Sequence, residues 1–203
     1  MKISSNKIAR IISTVFIPPS FTLFTFIAFA FWLENDYLKQ AVIIVVAFII
    51  GFIAPLLIYF VFRKAGKLND KDASIKEERT LPFIIATGFY ILGLLILINF
   101  DVNIISTAFW FCYISNTLLT IIINMHWKIS AHTMGAAGPL AAITYAFGPI
   151  NLTFSLLVFI VGWSRIKLKC HNLSQVLAGG LFAFISTYIQ IYIIVNILSE
   201  VVF

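Results

Sequence analysis

The sequence predicts an all-α fold, a polytopic transmembrane helical bundle of about six to seven helices in a single domain over residues 1–203. Of the 203 residues, 61% are hydrophobic and 11% are charged, and the mean hydropathy is +1.03. Soluble domains carry about 25% charged residues. The apolar residues stand in blocks of about 20, the length at which a helix crosses a bilayer, and they lack the polar–apolar alternation of barrel strands. We therefore expect bilayer lipids, and no nucleic acid, as partners.

Seven apolar segments follow one another along the chain, and each is predicted to be a helix. They cover residues 11–33, 41–62, 81–100, 103–125, 133–149, 151–164 and 173–199. The first lacks a convincing small-residue cleavage site, so we interpret it as a retained span and not as a signal peptide. The fifth and sixth are short, and we expect them to be tilted or to pack inside the bundle. Prolines 18, 19 and 139 are expected to kink the first and fifth segments, because proline removes a backbone donor.

The charged residues divide unevenly between the two ends of such a bundle. If all seven segments cross, one end, here called the basic end, carries the N-terminus, the charged loop 63–80 and the turns 126–132 and 164–172. Thirteen of the 14 Lys and Arg residues lie there with four acids, which gives this end a net charge of +9. The opposite end carries Lys39 and four acids that include Glu200, a net charge of −3. Lys and Arg in short loops mark the cytoplasmic side. We expect a protein of the plasma (inner) membrane whose basic end is cytoplasmic.

Three polar clusters lie at helix boundaries of the basic end, because an even number of crossings separates them. The first runs from Lys71 through KEERTLP at 76–82, the second is SAHT at 130–133, and the third is SRIKLKCHNLSQ at 164–175. Arginine matches phosphate oxygens with a planar fork of donors, and a helix start favours an anion. A neutral imidazole can attack phosphorus, while a protonated one can protonate the departing oxygen. The clusters therefore indicate phosphate chemistry.

No metal or cofactor is predicted for these clusters. No acidic group with metal-ligand spacing accompanies the histidines, so we expect the chemistry to be metal-independent. Cys112 and Cys170 are too few and too scattered to indicate a disulfide framework or a metal site.

The three clusters resemble the signature of the type-2 phosphatidic acid phosphatase superfamily, which is Lys-x6-Arg-Pro, Pro-Ser-Gly-His and Ser-Arg-x5-His-x3-Asp. The third cluster matches best, with Ser164, Arg165 and His171 in place and Val-Leu-Ala-Gly-Gly following. The second keeps Ser130 and His132 but has Ile and Ala where the family has Pro and Gly.

The first cluster is the loosest match. Arg79 stands before Thr-Leu-Pro, and seven residues instead of six separate it from Lys71, so Lys76 competes for the lysine position. The resemblance covers residues 71–180 and the helical architecture.

This resemblance implies an integral-membrane lipid phosphatase that hydrolyses a lipid phosphomonoester or diphosphate. His171 would form a phosphohistidine, and His132 would protonate the leaving group. The phosphoryl oxygens would be held by Arg165, Ser130, Arg79 and Lys71, where negative charge develops in the transition state.

Gln175 stands where the family has the aspartate that orients the nucleophilic histidine. In a helix, His171 and Gln175 would be i, i+4 neighbours, and the amide carbonyl could accept the imidazole proton without supplying charge. An Asp→Asn change in a serine-protease triad costs about 10⁴ in rate. We therefore expect reduced activity, or an acid such as Asp72 in its place.

Two other functions stay open from the sequence. A phosphohistidine can be intercepted by an alcohol, which would make the protein a phosphoryl or headgroup transferase. Gln175 and the loose first cluster are also compatible with a non-catalytic relative that binds or translocates a lipid phosphate. The oligomeric state and the identity of the lipid are not specified by these patterns.

Two further features are predicted to be structural. The small-residue runs at 135–138 and 178–180 permit close packing of helices. His126, beside Trp127, is interpreted as an interfacial anchor.

Overall fold

The computed structural model describes residues 4–73 and 75–198, and all regular structure within them is helical. Lys2, Glu200 and the last position of the predicted segment 173–199 lie outside the described residues. The α-helices in chain order are α1 (Ser5–Val15), α2 (Pro18–Leu33), α3 (Tyr37–Val46), α4 (Ala54–Lys64), α5 (Thr80–Asn99), α6 (Ile104–His126), α7 (Ala131–Phe147), α8 (Ser155–Lys167) and α9 (Leu173–Ile193). The predicted all-α fold class is confirmed.

Shorter helical turns extend several of these helices to membrane length. A π-helical segment, Ala47–Ile53, joins α3 to α4 in one apolar stretch of 28 residues, Tyr37–Lys64. Within residues 4–73 and 75–198, five helical stretches are long and apolar enough to cross a membrane, or six if α1 and α2 form one bent span. Only 22–39% of each apolar stretch is buried within the protein. The remaining apolar surface is suited to contact with lipid tails.

The first predicted segment is broken at its prolines. α1 ends at Val15, α2 begins at Pro18, and the two helices are bent by 50°. The predicted kink is thus confirmed, and proline is favoured at the first position of α2 because its missing N–H has no partner there. α1 begins at Ser5, ahead of the predicted start at residue 11, because its first turns are amphipathic. Arg10 therefore lies inside a helix.

α7 lies in the interior of the bundle, and it packs against α9, α2 and α8. All seven of its residues from Ala136 to Ala142 are buried. Of the two expectations for this short segment, packing inside the bundle is the one observed. The predicted kink at Pro139, which is buried within α7, stays a prediction.

Glycines allow the close approach of α7 to its neighbours. A Cβ atom on Gly179 of α9 would lie 2.9 Å from the carbonyl oxygen of Ser130, and one on Gly135 would lie 2.4 Å from Cβ of Pro18. Real Cβ contacts are not this short, so both positions need glycine. The predicted packing role of the two small-residue runs is confirmed at these positions.

Ion pairs of the described residues distinguish the two ends of the bundle. At the basic end, Asp72 pairs with Arg10 and Arg165, whereas Lys39 pairs with Asp101 at the other. The Asp72–Arg165 pair brings the first and third clusters together, and a hydrogen bond from Arg79 to the carbonyl of Ile129 brings the second cluster to the same end, as the sequence predicts.

Candidate active site

The turn that ends α8 explains how Arg165 and His171 come together across five intervening residues. The N–H of Cys170 donates to the carbonyl of Arg165 at 3.0 Å, and the N–H of Lys169 donates to that of Ile166 at 2.9 Å. Lys169 has a left-handed backbone with φ of 57°. These features form a Schellman motif, which closes a helix end and reverses the chain. The spacing thus places His171 beside the last turn of the helix that carries Arg165.

His171 is held by the first turn of α9. Asn172 caps that helix by accepting from the N–H of Gln175 at 2.9 Å, and Oε1 of Gln175 accepts from the N–H of Asn172 at 3.3 Å. The same Oε1 lies 3.0 Å from Nδ1 of His171. His171 therefore precedes the helix instead of lying within it, and its contact with Gln175 comes from this capping box and not from i, i+4 helical spacing.

The hydrogen bond fixes which imidazole nitrogen of His171 is reactive. Because an amide oxygen can only accept, Nδ1 carries the proton and Nε2 keeps its lone pair. Burial and, after it, the positive charges of Arg79 and Lys128 together lower the pKa of His171 to about 3. His171 is 7% exposed. The ring is thus a neutral imidazole with a free Nε2 at physiological pH.

The second cluster begins α7 and is tied to the third. Ser130 is the N-cap, and its Oγ accepts from the N–H of Thr133 at 3.4 Å. The main-chain N–H of Ser130 donates to the carbonyl of Gln175 at 3.3 Å. His132 lies in the first turn of α7, so the two histidines belong to helix starts that are hydrogen-bonded to each other.

Arg79 of the first cluster holds the 63–80 loop against the site. This side chain is 6% exposed, and it donates through Nε to the carbonyl of Ala73 at 2.6 Å and through Nη1 to the carbonyl of Ile129 at 3.3 Å. It therefore joins the 63–80 loop to the second cluster. Lys71 faces the cavity described below, whereas Nζ of Lys76 donates to the carbonyl of Met125. Of the two competing lysines, Lys71 is the one that lines the cavity, and its role in binding phosphate stays a prediction.

Asp72 links the loop to α1 and α8. Its carboxylate accepts from Nη1 of Arg165 at 2.8 Å and from Nη1 of Arg10 at 2.9 and 3.0 Å, and the same nitrogen of Arg165 also donates to Oγ of Ser13. Burial raises the pKa of Asp72, but the hydrogen bonds from Arg10 and Arg165 outweigh it and hold the pKa below its usual value. Asp72 therefore pairs with two arginines, and the group that contacts Nδ1 of His171 is Gln175 instead of Asp72.

Neither Arg10 nor Lys128 was predicted to take part in the site. Arg10 and Ser13 are three residues apart, a spacing that puts them on one face of a helix, and this was the available signal. Lys128 donates through Nζ to the carbonyl of Cys170 at 2.7 Å, beside His171. No motif marks Lys128, because its contact depends on how the turn before α7 meets the turn before α9.

A cavity of about 660 Å³ opens among these elements. Its polar wall at the basic end consists of Arg10, Ser13, Lys71, Asp72, Arg79, His132 and His171. The rest is lined mainly by apolar side chains and reaches Gly138 and Ala183 deep in the bundle. Among the described residues, the lining does not include Arg165 and Ser130, which are fully buried, nor Gln175, which is half-buried. His126 is exposed at the end of α6 and does not line the cavity either.

In the described part of the chain, no three His, Cys, Asp or Glu side chains are grouped so as to hold a metal ion. In comparisons with known proteins, the chain matches no family model, no curated protein and no solved structure. The resemblance to the type-2 phosphatidic acid phosphatases therefore rests on the three clusters alone.

Proposed function

We propose that this protein is an integral-membrane lipid phosphatase that acts through a phosphohistidine on His171. The observation that carries the proposal is that His132 and His171 line the same cavity as Arg79 and Lys71. Phosphate chemistry needs a nucleophile, a proton donor and cations around one phosphoryl group. All of these are grouped at the basic end.

In the first step, Nε2 of His171 attacks phosphorus, and the bond from phosphorus to the lipid oxygen breaks as the N–P bond forms. Burial, followed by the charge of Arg165, lowers the pKa of His132 to about 3 before substrate binds, whereas the negative charges of a bound phosphate dianion raise it again. His132 is thus protonated together with the substrate and gives its proton to the departing oxygen, so the lipid of a phosphomonoester leaves as an alcohol. Gln175 accepts the Nδ1 proton throughout and keeps the ring in place. Arg79 and Lys71 stabilise the charge on the phosphoryl oxygens.

In the second step, water attacks the phosphohistidine. His132, now neutral, takes a proton from the water and returns to its protonated form. The N–P bond breaks, inorganic phosphate leaves, and His171 recovers its lone pair.

The apolar part of the cavity supports a lipid as the substrate. It extends from the polar wall toward the centre of the bundle, where Tyr90, Phe109 and Tyr113 contribute to the lining. A hydrocarbon chain placed there would leave its phosphate at the basic end, near the membrane surface. A lipid phosphomonoester and a lipid diphosphate both fit this arrangement.

Phosphate release from purified protein tests the proposal. A panel of lipid phosphates is expected to yield inorganic phosphate, with and without a metal chelator, and turnover is expected to be lost in His171→Ala and His132→Ala. His126→Ala is the matched control, because this histidine is exposed outside the cavity, and it should retain full activity. Turnover that survives His171→Ala or disappears with chelator would contradict the mechanism.

A second candidate is a protein that binds or translocates lipid phosphates without hydrolysis. It is favoured by Gln175, which orients His171 but supplies no negative charge to the phosphorylated imidazole. Lipid phosphate binding that is unaltered by His171→Ala, with no release of phosphate, would support it. Transfer of the phosphoryl group to a lipid alcohol would instead indicate a transferase.

A further inference from the structure

Arg165 is separated from the cavity by two side chains that it binds. Asp72 and Ser13 line the cavity, and both accept from Nη1 of Arg165, which is itself 1% exposed. A phosphate in the cavity can reach Arg165 only if Asp72 gives way. Arg10, on the cavity side of the same carboxylate, is bound to it by two short contacts.

We propose that Arg10 and Arg165 form an oxyanion subsite for a phosphate monoester, and that the Asp72 carboxylate fills this subsite until a phosphate displaces it. This inference rests on the proposed function, which requires a phosphate in the cavity. It adds Arg10, a residue outside all three clusters, as a binding residue. It also makes Asp72 an internal competitor of the substrate.

Charge favours the exchange. The carboxylate brings one negative charge to two guanidinium groups, whereas a phosphate monoester brings about 1.5 to 2 at neutral pH and three strong acceptor oxygens. Hydrogen bonds between such oxygens and arginine are stronger than neutral ones. A phosphate thus neutralises the pair of arginines more completely than Asp72 does.

A donor of Arg165 that is left unpaired also supports the exchange of Asp72 for a phosphate. Within the described part of the chain, Nε of Arg165 is buried and has no hydrogen-bond partner. A buried N–H without a partner costs free energy. Asp72 and Ser13 both bind Nη1 and leave Nε, on the other edge of the guanidinium, without an acceptor, so the carboxylate satisfies Arg165 only in part.

The loop around Asp72 allows its side chain to move while its backbone stays in place. Ala73 accepts from Nε of Arg79, and the hydroxyl of Tyr59 donates to the carbonyl of Lys71 at 3.0 Å. The N–H of Asp72 donates to Oδ1 of Asp70 at 2.6 Å. With the chain fixed on both sides, the exchange needs a rotation of one side chain.

The competing explanation is that Asp72 is a structural pin between α1 and α8. The two explanations are separated by measuring how inorganic phosphate binds to the protein in detergent, by calorimetry, and how it changes the unfolding temperature. Asp72→Asn is expected to unfold at a lower temperature in chloride, because Arg165 loses its partner, and to recover in phosphate of equal ionic strength. It should also bind phosphate about ten- to a hundredfold more tightly than the unaltered protein, the range given by one charged hydrogen bond.

Asp101→Asn is the matched control, because it breaks the Lys39–Asp101 pair at the opposite end and should show no recovery in phosphate. If Asp72→Asn is equally unstable, or cannot be purified, in both salts, phosphate does not replace the carboxylate and the inference is wrong. Equal phosphate affinity of Asp72→Asn and the unaltered protein would also overturn it.

Arg10→Gln gives a second test, on a side chain that is half exposed. It is expected to weaken phosphate binding about tenfold or more, and unchanged affinity would refute the subsite. These measurements require no turnover. Phosphate-dependent recovery without any hydrolysis would support the subsite and contradict the proposed function. Hydrolysis without this recovery would support the proposed function and contradict the subsite.

Discussion

Gln175 performs two tasks with one side-chain oxygen, since Oε1 accepts from the N–H of Asn172 and from Nδ1 of His171. An aspartate here would carry charge but is one methylene too short for this capping box. A glutamate keeps the reach and adds the charge that stabilises a phosphorylated imidazole. We therefore expect Gln175→Glu to raise the rate of phosphate release at least about tenfold, which corresponds to about 1.4 kcal/mol.

Gln175→Asp should gain less than Gln175→Glu, because it loses the cap. Steady-state rates of the two variants on one lipid phosphate make the comparison. A glutamate variant no faster than the unaltered protein would show that charge at this position does not limit the reaction.

His171 gives the stability of the protein a defined pH dependence. Its pKa is about 3 in the folded protein, because of burial and the charges of Arg79 and Lys128, and about 6.5 when unfolded. The unfolded chain therefore binds the proton first as the pH falls, and this contribution to stability declines from about pH 6.5 down to pH 3. The decline approaches about 1.4 kcal/mol per pH unit for one such group.

Thermal unfolding in detergent between pH 7 and 4, compared with His171→Gln, isolates this contribution from that of the carboxylates. The variant should lose less stability on acidification than the unaltered protein. Parallel pH profiles would show that His171 is protonated in the folded state over this range.

The contact between α7 and α9 sets the separation of the two helix starts that carry the histidines. A Cβ on Gly179 would meet Oγ1 of Thr133 at 2.8 Å and the carbonyl of Ser130 at 2.9 Å. Gly179→Ala must push the helices apart, and overpacking of this kind costs about 1–3 kcal/mol. We expect it to lower both the unfolding temperature and the phosphate release.

Gly180→Ala is the matched control for this element, because its Cβ would have its nearest neighbour at 3.8 Å. It should leave activity intact and stabilise the helix slightly, since alanine favours helix over glycine. If both variants behave alike, close approach at Gly179 is not what positions the site.

For the whole molecule, the charge bias predicts that the basic end of the bundle faces the cytoplasm. Lys67 and Asn35 are exposed near opposite ends of the bundle, and both native cysteines are buried. In intact cells, an impermeant thiol reagent should label Asn35→Cys and leave Lys67→Cys unlabelled until the membrane is opened. The opposite pattern would place the basic end outside the cell.

The helices could be predicted from the sequence because they follow from long apolar runs. The end of the bundle at which the three polar clusters meet could also be predicted, because an even number of membrane crossings separates the clusters. The contacts of Arg10 could not, because α1 extends into an amphipathic stretch that a search for apolar runs leaves out. The pairing of Asp72 with Arg165 depends on the path of the 63–80 loop, which no periodicity encodes. Ser130 was predicted to hold phosphate, yet its Oγ caps α7 behind the cavity wall, and its role in phosphate binding stays a prediction.

The central claim is that His171 receives the phosphoryl group, and acid–base trapping tests it most directly. The purified protein is mixed with a lipid phosphate labelled in its phosphoryl group, quenched within milliseconds to seconds, and digested to locate the label. We expect an acid-labile, alkali-stable phosphoramidate on the peptide containing His171, and none in His171→Gln. Phosphate release without any label on this peptide, or label on another residue, would contradict the account.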